Sequence, residues 1–300
     1  MAETLLPFDD RDGSIWFDGR LIPWRDAKIH VLTHGLHYAS CVFEGERVYG
    51  GTIFRSLDHT RRLFASARIL GFEIPFAEEE IEQAKREVVA AMGISDGYVR
   101  PIAWRGSEMM GVSAQNSRIH VAIAAWEWPA YFSPEARMKG IRMVTGQWRR
   151  PAPDTAPVQS KAAGLYMICT LNKHAAEAQG YDDALMLDWR GLVAEGTGAN
   201  IFLVQDGKLH TPTPDCFLNG ITRQTVIALA GQRQIPVIER YIKPEEFANT
   251  TEVFVTGTAA EITPVGAIDE YRFTVGKVTR TLMEDFERTV RGKQPLPAAG

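Results

Sequence analysis

Cysteine is scarce in this chain: Cys41, Cys169 and Cys216 are the only 3 in 300 residues. They are odd in number, far apart and outside metal-ligand spacing. A disulfide framework and a thiolate metal site are therefore excluded, and the pattern points to reduced thiols in the cytoplasm. No long apolar run occurs. The longest, Val121 to Trp126 with Ile119 before it, falls far short of the roughly 20 residues that cross a bilayer. No excess of basic charge is present either; the net charge of -4 gives no footprint for nucleic acid. Met1 to Gly13 is acidic and has no apolar centre, which argues against a signal or transit peptide. Internal repeats and low-complexity segments are lacking. What is present is 45% hydrophobic and 23% charged residues, the composition of an ordinary globular protein with room for two domains.

The periodicity alternates between strand and helix. Asp18-Gly19 between two apolar runs is a hairpin signal, as is Asp206-Gly207. Helices are expected over Asp58 to Leu70 with Asp58 as N-cap, over Glu78 to Met92, Ala163 to Gln179 and Gln224 to Gln232, and near Gly276 to Val290. Strands are expected over Gly97 to Arg105, Arg118 to Trp126, Ile141 to Thr145, Ala184 to Leu187, Ile201 to Val204 and Glu252 to Thr256. His30, His34 and His37 sit in a stretch whose Val31, Thr33 and Gly35 favour a strand running into a turn. No Cys, Asp or Glu completes a ligand set there, so no metal site is expected. The aromatic and proline-rich segment from Trp126 to Pro134 marks a linker, dividing a small N-terminal α/β domain (1–128) and an interdomain loop (129–140) from a large C-terminal domain (141–300).

Several residue groups could carry chemistry, each with a bland alternative. Lys161, in Ser160-Lys161-Ala162-Ala163-Gly164-Leu165-Tyr166, is either a solvated lysine at a helix entrance or an amine that desolvation turns into a nucleophile. Arg100, two residues from Tyr98 in a strand, is either an edge pair or a carboxylate binder. Gly220-Ile221-Thr222 opens a helix, where free N–H groups either are simply capped or receive an anion. Gly257-Thr258-Ala259 ends a strand and offers a second gathering of N–H groups. Arg61, Arg62 and Arg68 share one helix, and an inward-facing member of the set could hold a phosphate.

Taken together and in order, these pieces resemble the fold-type IV pyridoxal-phosphate enzymes, and within them the branched-chain aminotransferases. The resemblance runs from Ile15 to the last helix. Its sharpest parts are His37-Tyr38, Val42-Phe43-Glu44-Gly45, Tyr98-Val99-Arg100-Pro101, Lys161 with Tyr166, Glu195 to Asn200, Gly220-Ile221-Thr222-Arg223 and Gly257 to Pro264. It implies an α+β fold of two α/β domains with the active site between them, and pyridoxal 5'-phosphate as cofactor. By the same carry-over Lys161 forms the Schiff base and shuttles the proton, and Glu195 pairs with the ring nitrogen. Tyr166 binds the ring hydroxyl, Asn200 joins the cofactor set, and Arg62, Ile221, Thr222 and Thr258 hold the phosphate. Tyr98, Thr258 and Ala259 would take the substrate α-carboxylate and Arg100 the distal carboxylate of glutamate. Phe43 and Tyr38 would form an apolar pocket, with Tyr131, Trp128 and Val112 lent by a second subunit.

The implied activity is amino transfer between branched-chain L-amino acids (Leu, Ile, Val) and 2-oxoglutarate or glutamate, in a cytoplasmic homo-oligomer, at least a dimer. The partners are small amino and 2-oxo acids, without nucleic acid or membrane. The alternative within the fold is a D-amino-acid or (R)-amine transaminase, or an aminodeoxychorismate-type lyase. Three positions depart from the family pattern: Ala162-Ala163 where Gly-Gly is common, Thr197 where Ala is common, and Asn219 where Pro is usual.

Overall fold

The computed structural model describes residues 7–128 and 138–295. They form two compact units, residues 7–128 together with Ser160–Gly164, and residues 138–159 together with 165–295. Of the linker expected at 129–140, residues 129–137 lie outside the described residues. Both units mix helix and strand, in keeping with the α+β class.

The first unit is built on a 7-stranded sheet of β1 (Ser14–Phe17), β2 (Arg20–Pro23), β3 (Cys41–Phe43), β4 (Glu46–Tyr49), β5 (Thr52–Ile53), β6 (Gly97–Arg105) and β7 (Ile119–Glu127). The order is β2-β1-β7-β6-β4-β5, with β3 paired to β6. Asp18 and Gly19, at φ 46 and 99, make the hairpin turn whose twist matches the flanking strands. Strand alternation gives the sheet two different faces. Val42, Val48, Val99, Ala103, Val121, Ile123 and Ala125 point into the core, against Leu63, Ala67, Ile81 and Val88. Those partners come from helix α2 (Ser56–Ile69) and helix α3 (Glu78–Ala91). Tyr98, Arg100, Ile102 and Trp104 alternate onto the other face of β6, and Phe43 onto that of β3.

Two local expectations fail here. His34–Tyr38 is a short helix, α1, and not a strand. The helix lets the His34 ring stack on Tyr38 one turn later, at 4.6 Å between centroids, while His34 Nε2 bonds the Gly111 carbonyl at 2.8 Å. That second contact comes from 77 residues away, out of reach of a local pattern. Helix α2 begins at Ser56, so Asp58 is not its N-cap. Arg55 holds the cap in the left-handed region at φ 50, and its Nε binds Asp58 Oδ2 at 2.6 Å. Asp58 therefore sits in the first turn, where a carboxylate complements the helix dipole.

The second unit holds a 9-stranded sheet. It comprises β8 (Ile141–Thr145), β9 (Asp183–Leu187), β10 (Val193–Gly196), β11 (Asn200–Gln205), β12 (Lys208–Pro212), β13 (Val237–Arg240), β14 (Glu252–Gly257), β15 (Glu261–Ile268) and β16 (Tyr271–Arg272). The path β10-β9-β8-β15-β14-β11 is closed by pairing of β10 with β11, and β12 and β13 extend beyond β11. Met143, Leu185, Val193, Ile201, Leu203, Val255 and Val265 fill the core. Helices α4 (Met167–Ala178), α5 (Ile221–Gln232) and α6 (Lys277–Val290) complete the unit. The helix expected from Ala163 instead begins as a 3-10 turn over Ala163–Tyr166, and α4 follows it.

Ser160–Gly164 belongs to the first unit, although the residues on either side of it in sequence belong to the second. Ala162 bridges Val42, the Lys161 N–H donates to Ser66 Oγ at 2.9 Å, and Ser160 Oγ donates to the Ser66 carbonyl at 3.0 Å. These bonds satisfy backbone groups that would otherwise be stranded in a buried loop.

Candidate active site

In the first unit the site is laid out around Phe43. Lys161 Nζ lies 5.1 Å from the centroid of its ring and Arg100 Cζ 4.8 Å. An amine and a guanidinium thus share one aromatic ring, whose faces attract cations. Lys161 is partly buried, and its main chain is fixed on both sides: Ser66 Oγ accepts from its N–H, and its carbonyl accepts from Phe43 N at 3.2 Å. Arg100 Nη2 donates to Tyr98 Oη at 3.3 Å, and Arg100 Nε is buried without a partner. Tyr98 is buried and flanked by Trp126 and Trp128. Gly45 makes room for its phenol: a Cβ there would lie 1.7 Å from Tyr98 Oη.

Arg62 faces inward on α2. Its Nε donates to Glu44 Oε1 at 2.6 Å and its Nη2 to Glu44 Oε2 at 2.8 Å. His59 Nδ1 is 2.7 Å from the same Oε2, and since an ionised carboxylate only accepts, His59 is the donor. Burial works against the charge on Glu44, but Arg62 and then His59 outweigh it and hold the carboxyl well below its usual range. Burial pushes His59 down, so the ring is neutral. Behind this group Lys85 bonds both oxygens of Glu46, at 3.1 and 2.9 Å. Burial drives the Glu46 carboxyl up to about 8 against the pull of Lys85.

In the second unit Glu195 stands on β10 opposite Asn200 on β11. Asn200 Nδ2 donates to Glu195 Oε2 at 3.3 Å and to the Leu218 carbonyl at 3.0 Å, and its Oδ1 accepts from Gly220 N at 3.1 Å. One amide therefore ties the carboxylate to the N-terminus of α5, where Ile221 and Thr222 lie. A Cβ on Gly220 would come 2.3 Å from Asn200 Oδ1, which explains the glycine. Arg150 Nε sits 3.4 Å from Glu195 Oε1. Burial works to lower the Arg150 pKa, but Glu195 and the groups around it raise it, so the guanidinium stays charged. Thr258 and Ala259 occupy the turn between β14 and β15, partly buried, next to Thr256, whose buried Oγ1 has no partner. Tyr166 closes the 3-10 turn and borders a cleft of about 350 Å³ with Thr197, Gly198 and Ala259.

The structure thus groups Lys161, Phe43, Tyr98, Arg100 and Arg62 in the first unit, and Tyr166, Glu195, Asn200, Ile221, Thr222, Thr258 and Ala259 in the second. Tyr38 is 43% and Val112 88% exposed, so neither contributes to a packed core within its own chain. Trp128 is half-buried against Tyr98, and Tyr131 lies outside the described residues. Sequence alone does not mark Glu44, His59 or Arg150: Glu44 falls within the Val42-Phe43-Glu44-Gly45 motif without a role of its own, and nothing local distinguishes Arg150.

The three departures have structural counterparts. Ala162 is buried in its bridge to Val42, and Ala163 lines an apolar cavity of about 420 Å³ with Cys41, Arg100, Ile102 and Trp104. Thr197 Oγ1 donates to Asp183 Oδ1 at 2.6 Å, anchoring the loop after Glu195. Asn219 Oδ1 accepts from Arg223 Nη1 at 2.8 Å, fastening the loop to α5.

The amino-transferase class IV family model matches residues 41–268. The branched-chain-amino-acid aminotransferase of Pseudomonas aeruginosa is 43% identical over 95% of this chain and 95% of its own length. That of Escherichia coli K12 is 39% identical over 91% of each. Among solved structures, the T.th. branched-chain amino acid aminotransferase with pyridoxamine 5'-phosphate superposes with a TM-score of 0.92 at 41% identity, covering 95% of this chain and 96% of that one. The same enzyme complexed with N-(5'-phosphopyridoxyl)-L-glutamate, and with 4-methylvaleric acid, gives 0.90 at 40% identity with the same coverage. On this likeness across nearly its whole length, the chain belongs to the class IV aminotransferases, on their branched-chain-amino-acid branch.

Proposed function

We propose that this protein moves amino groups between branched-chain L-amino acids and 2-oxoglutarate, using pyridoxal 5'-phosphate. The observation that carries the reading is Lys161, an amine poised over Phe43 with its backbone pinned by Ser66. The residues fit the cofactor. In the first unit the Arg62 guanidinium suits a phosphate; in the second the N-terminus of α5 and the unpartnered buried hydroxyl of Thr256 suit a phosphate and its surroundings, and a carboxylate gripped by Arg150 and Asn200 suits a pyridine nitrogen. When bound, pyridoxal phosphate supplies an electron sink for the pair left on the substrate α-carbon.

Lys161 Nζ holds and moves the proton taken from that carbon. Glu195 keeps a proton on the ring nitrogen, and Tyr166 orients the ring through its hydroxyl. Asn200 acts through Glu195 and the start of α5. Arg62, the N–H groups at Ile221 and Thr222, and Thr258 bind the phosphate.

Tyr98, Thr258 and Ala259 orient the α-carboxylate, and Arg100 takes the distal carboxylate of glutamate. Phe43 and Tyr38, with Trp128 and Val112 of a second copy, bound the hydrocarbon side. The T.th. relative, complexed with both a glutamate adduct and 4-methylvaleric acid, supports a site of this dual character.

Homodimer formation is part of this reading. Val31, Leu36 and Val112 are 70%, 62% and 88% exposed, an apolar surface that a second copy would cover. The three buried free thiols support a cytoplasmic location. No helix among the described residues is long and apolar enough to cross a membrane.

The test is a half-reaction screen by cofactor absorbance over L-leucine, L-valine, L-glutamate, D-alanine and (R)-1-phenylethylamine. Turnover of the L-amino acids is expected. Rapid D-alanine with no L-leucine would move the assignment to the D-amino-acid relatives.

A further inference from the structure

Glu44 holds a fully enclosed carboxylate beside the proposed site, at 0% exposure, and it touches nothing that reacts. It lies between β3 and β4, facing α2. Both of its oxygens are committed: Oε1 accepts from Arg62 Nε, and Oε2 accepts from Arg62 Nη2, from His59 Nδ1 and, at 3.3 Å, from Gly45 N. The two Arg62 contacts come from one edge of the guanidinium, in the side-on fork that fixes the plane of the group as well as its distance. His59 stands one turn before Arg62 on the same helix, itself buried, and steadies the carboxylate from the other side. An arginine is a long side chain with several rotatable bonds. Clamped along one edge, it presents its remaining donors in one direction only.

We infer that Glu44 is the positioning residue for the cofactor phosphate: it aims the Arg62 guanidinium, with His59 holding Glu44 in turn. The inference rests on the reading of Arg62 as a phosphate ligand. A competing effect has the opposite sign. Glu44 also neutralises Arg62, so removing the carboxylate would strengthen the attraction to an anion if charge decided the matter. If orientation decides it, removing the carboxylate weakens phosphate binding. The energy of a bidentate, charge-assisted clamp in a water-poor environment favours orientation.

The experiment titrates apoprotein with pyridoxal 5'-phosphate and, separately, with pyridoxal, which lacks the phosphate, following intrinsic fluorescence. Glu44→Gln should raise the Kd for pyridoxal phosphate about tenfold or more while leaving that for pyridoxal within about twofold. A merely structural role would weaken both equally, and that result overturns the inference. Tighter binding of pyridoxal phosphate overturns it as well, in favour of charge. Glu44→Asp keeps the charge, shortens the reach by one carbon and should also lose selectivity, so it serves should the glutamine variant fold poorly. Arg62→Met separates the two layers. If it leaves the ratio of the two affinities unchanged, the reading of Arg62 fails and the inference falls with it. If it collapses the ratio and neither Glu44 variant does, the inference alone fails. If both hold, adding Glu44→Gln to Arg62→Met should cause no further loss.

Discussion

Arg150 Nε stands 3.4 Å from Glu195 Oε1, with the side chains 5% and 13% exposed. Arg150 also gives Nε to the Cys216 carbonyl at 3.3 Å and points Nη1 at Cys169 Sγ. It places a positive charge beside the carboxylate proposed to meet the ring nitrogen. Arg150→Met leaves Glu195 enclosed without this counter-charge. A loss of about 3 kcal/mol in stability is expected, at the lower end for a broken buried pair because the contact is long. The protonation of the bound cofactor, followed by absorbance against pH, should shift as well. An unchanged melt together with an unchanged pH profile would show that Arg150 does not act on Glu195.

Lys161→Ala should abolish amino transfer while the protein stays folded, because the side chain is only partly buried and the backbone bonds to Ser66 and Phe43 remain. Single-turnover absorbance with L-glutamate reads this directly. Wild-type turnover in the variant would remove Lys161 from the chemistry.

Gly45→Ala tests the fit around Tyr98. The added methyl would meet Tyr98 Oη at 1.7 Å, and Trp126 and Trp128 hem in the ring, so strain of about 1–3 kcal/mol is expected. The KM for L-leucine should rise while cofactor affinity stays unchanged. Cofactor loss with an unchanged KM would contradict the placement of Tyr98 on the substrate side.

Acid should destabilise the fold in two stages. Burial pushes His59 below its ordinary value of 6.5, so below that pH the unfolded chain takes up a proton the fold refuses, and stability drops. Burial opposes the charge on Glu44, but Arg62 and His59 hold its carboxyl below the ordinary 4.5. The stability this contributes is present above 4.5 and is lost as pH falls through the lowered value. Denaturant melts from pH 7 down to pH 2 would show the first stage above pH 5 and the second setting in below 4.5, and His59→Leu should remove the first. A variant with the wild-type slope between pH 7 and 5 would exclude His59 as its source.

Much of the scaffold was legible because it depends on local rules. Gly97–Arg105 and Ile141–Thr145 are strands over the expected residues, since alternation and flanking turns are properties of adjacent positions. Asp18-Gly19 and Asp206-Gly207 turn as their left-handed backbones require. The failures occurred where a distant partner or a neighbouring side chain overrode the local preference: His34 follows Gly111 into a helix, and Arg55 displaces Asp58 from the cap of α2.

The sequence by itself determined the family, through residue types whose order along the chain suffices to identify them: Lys161, Glu195, the Gly220-Ile221-Thr222 turn and the Gly257-Thr258-Ala259 turn. It also named Arg62, one arginine among three on the helix. Only the tertiary structure decided how those groups are held. Glu44 grips Arg62 across 18 positions, Arg150 meets Glu195 across the second unit, and Ser66 anchors Lys161 from 95 residues away. A buried charge needs a partner at hydrogen-bonding distance, and the chain supplies that partner wherever the fold brings one close, without regard to sequence separation.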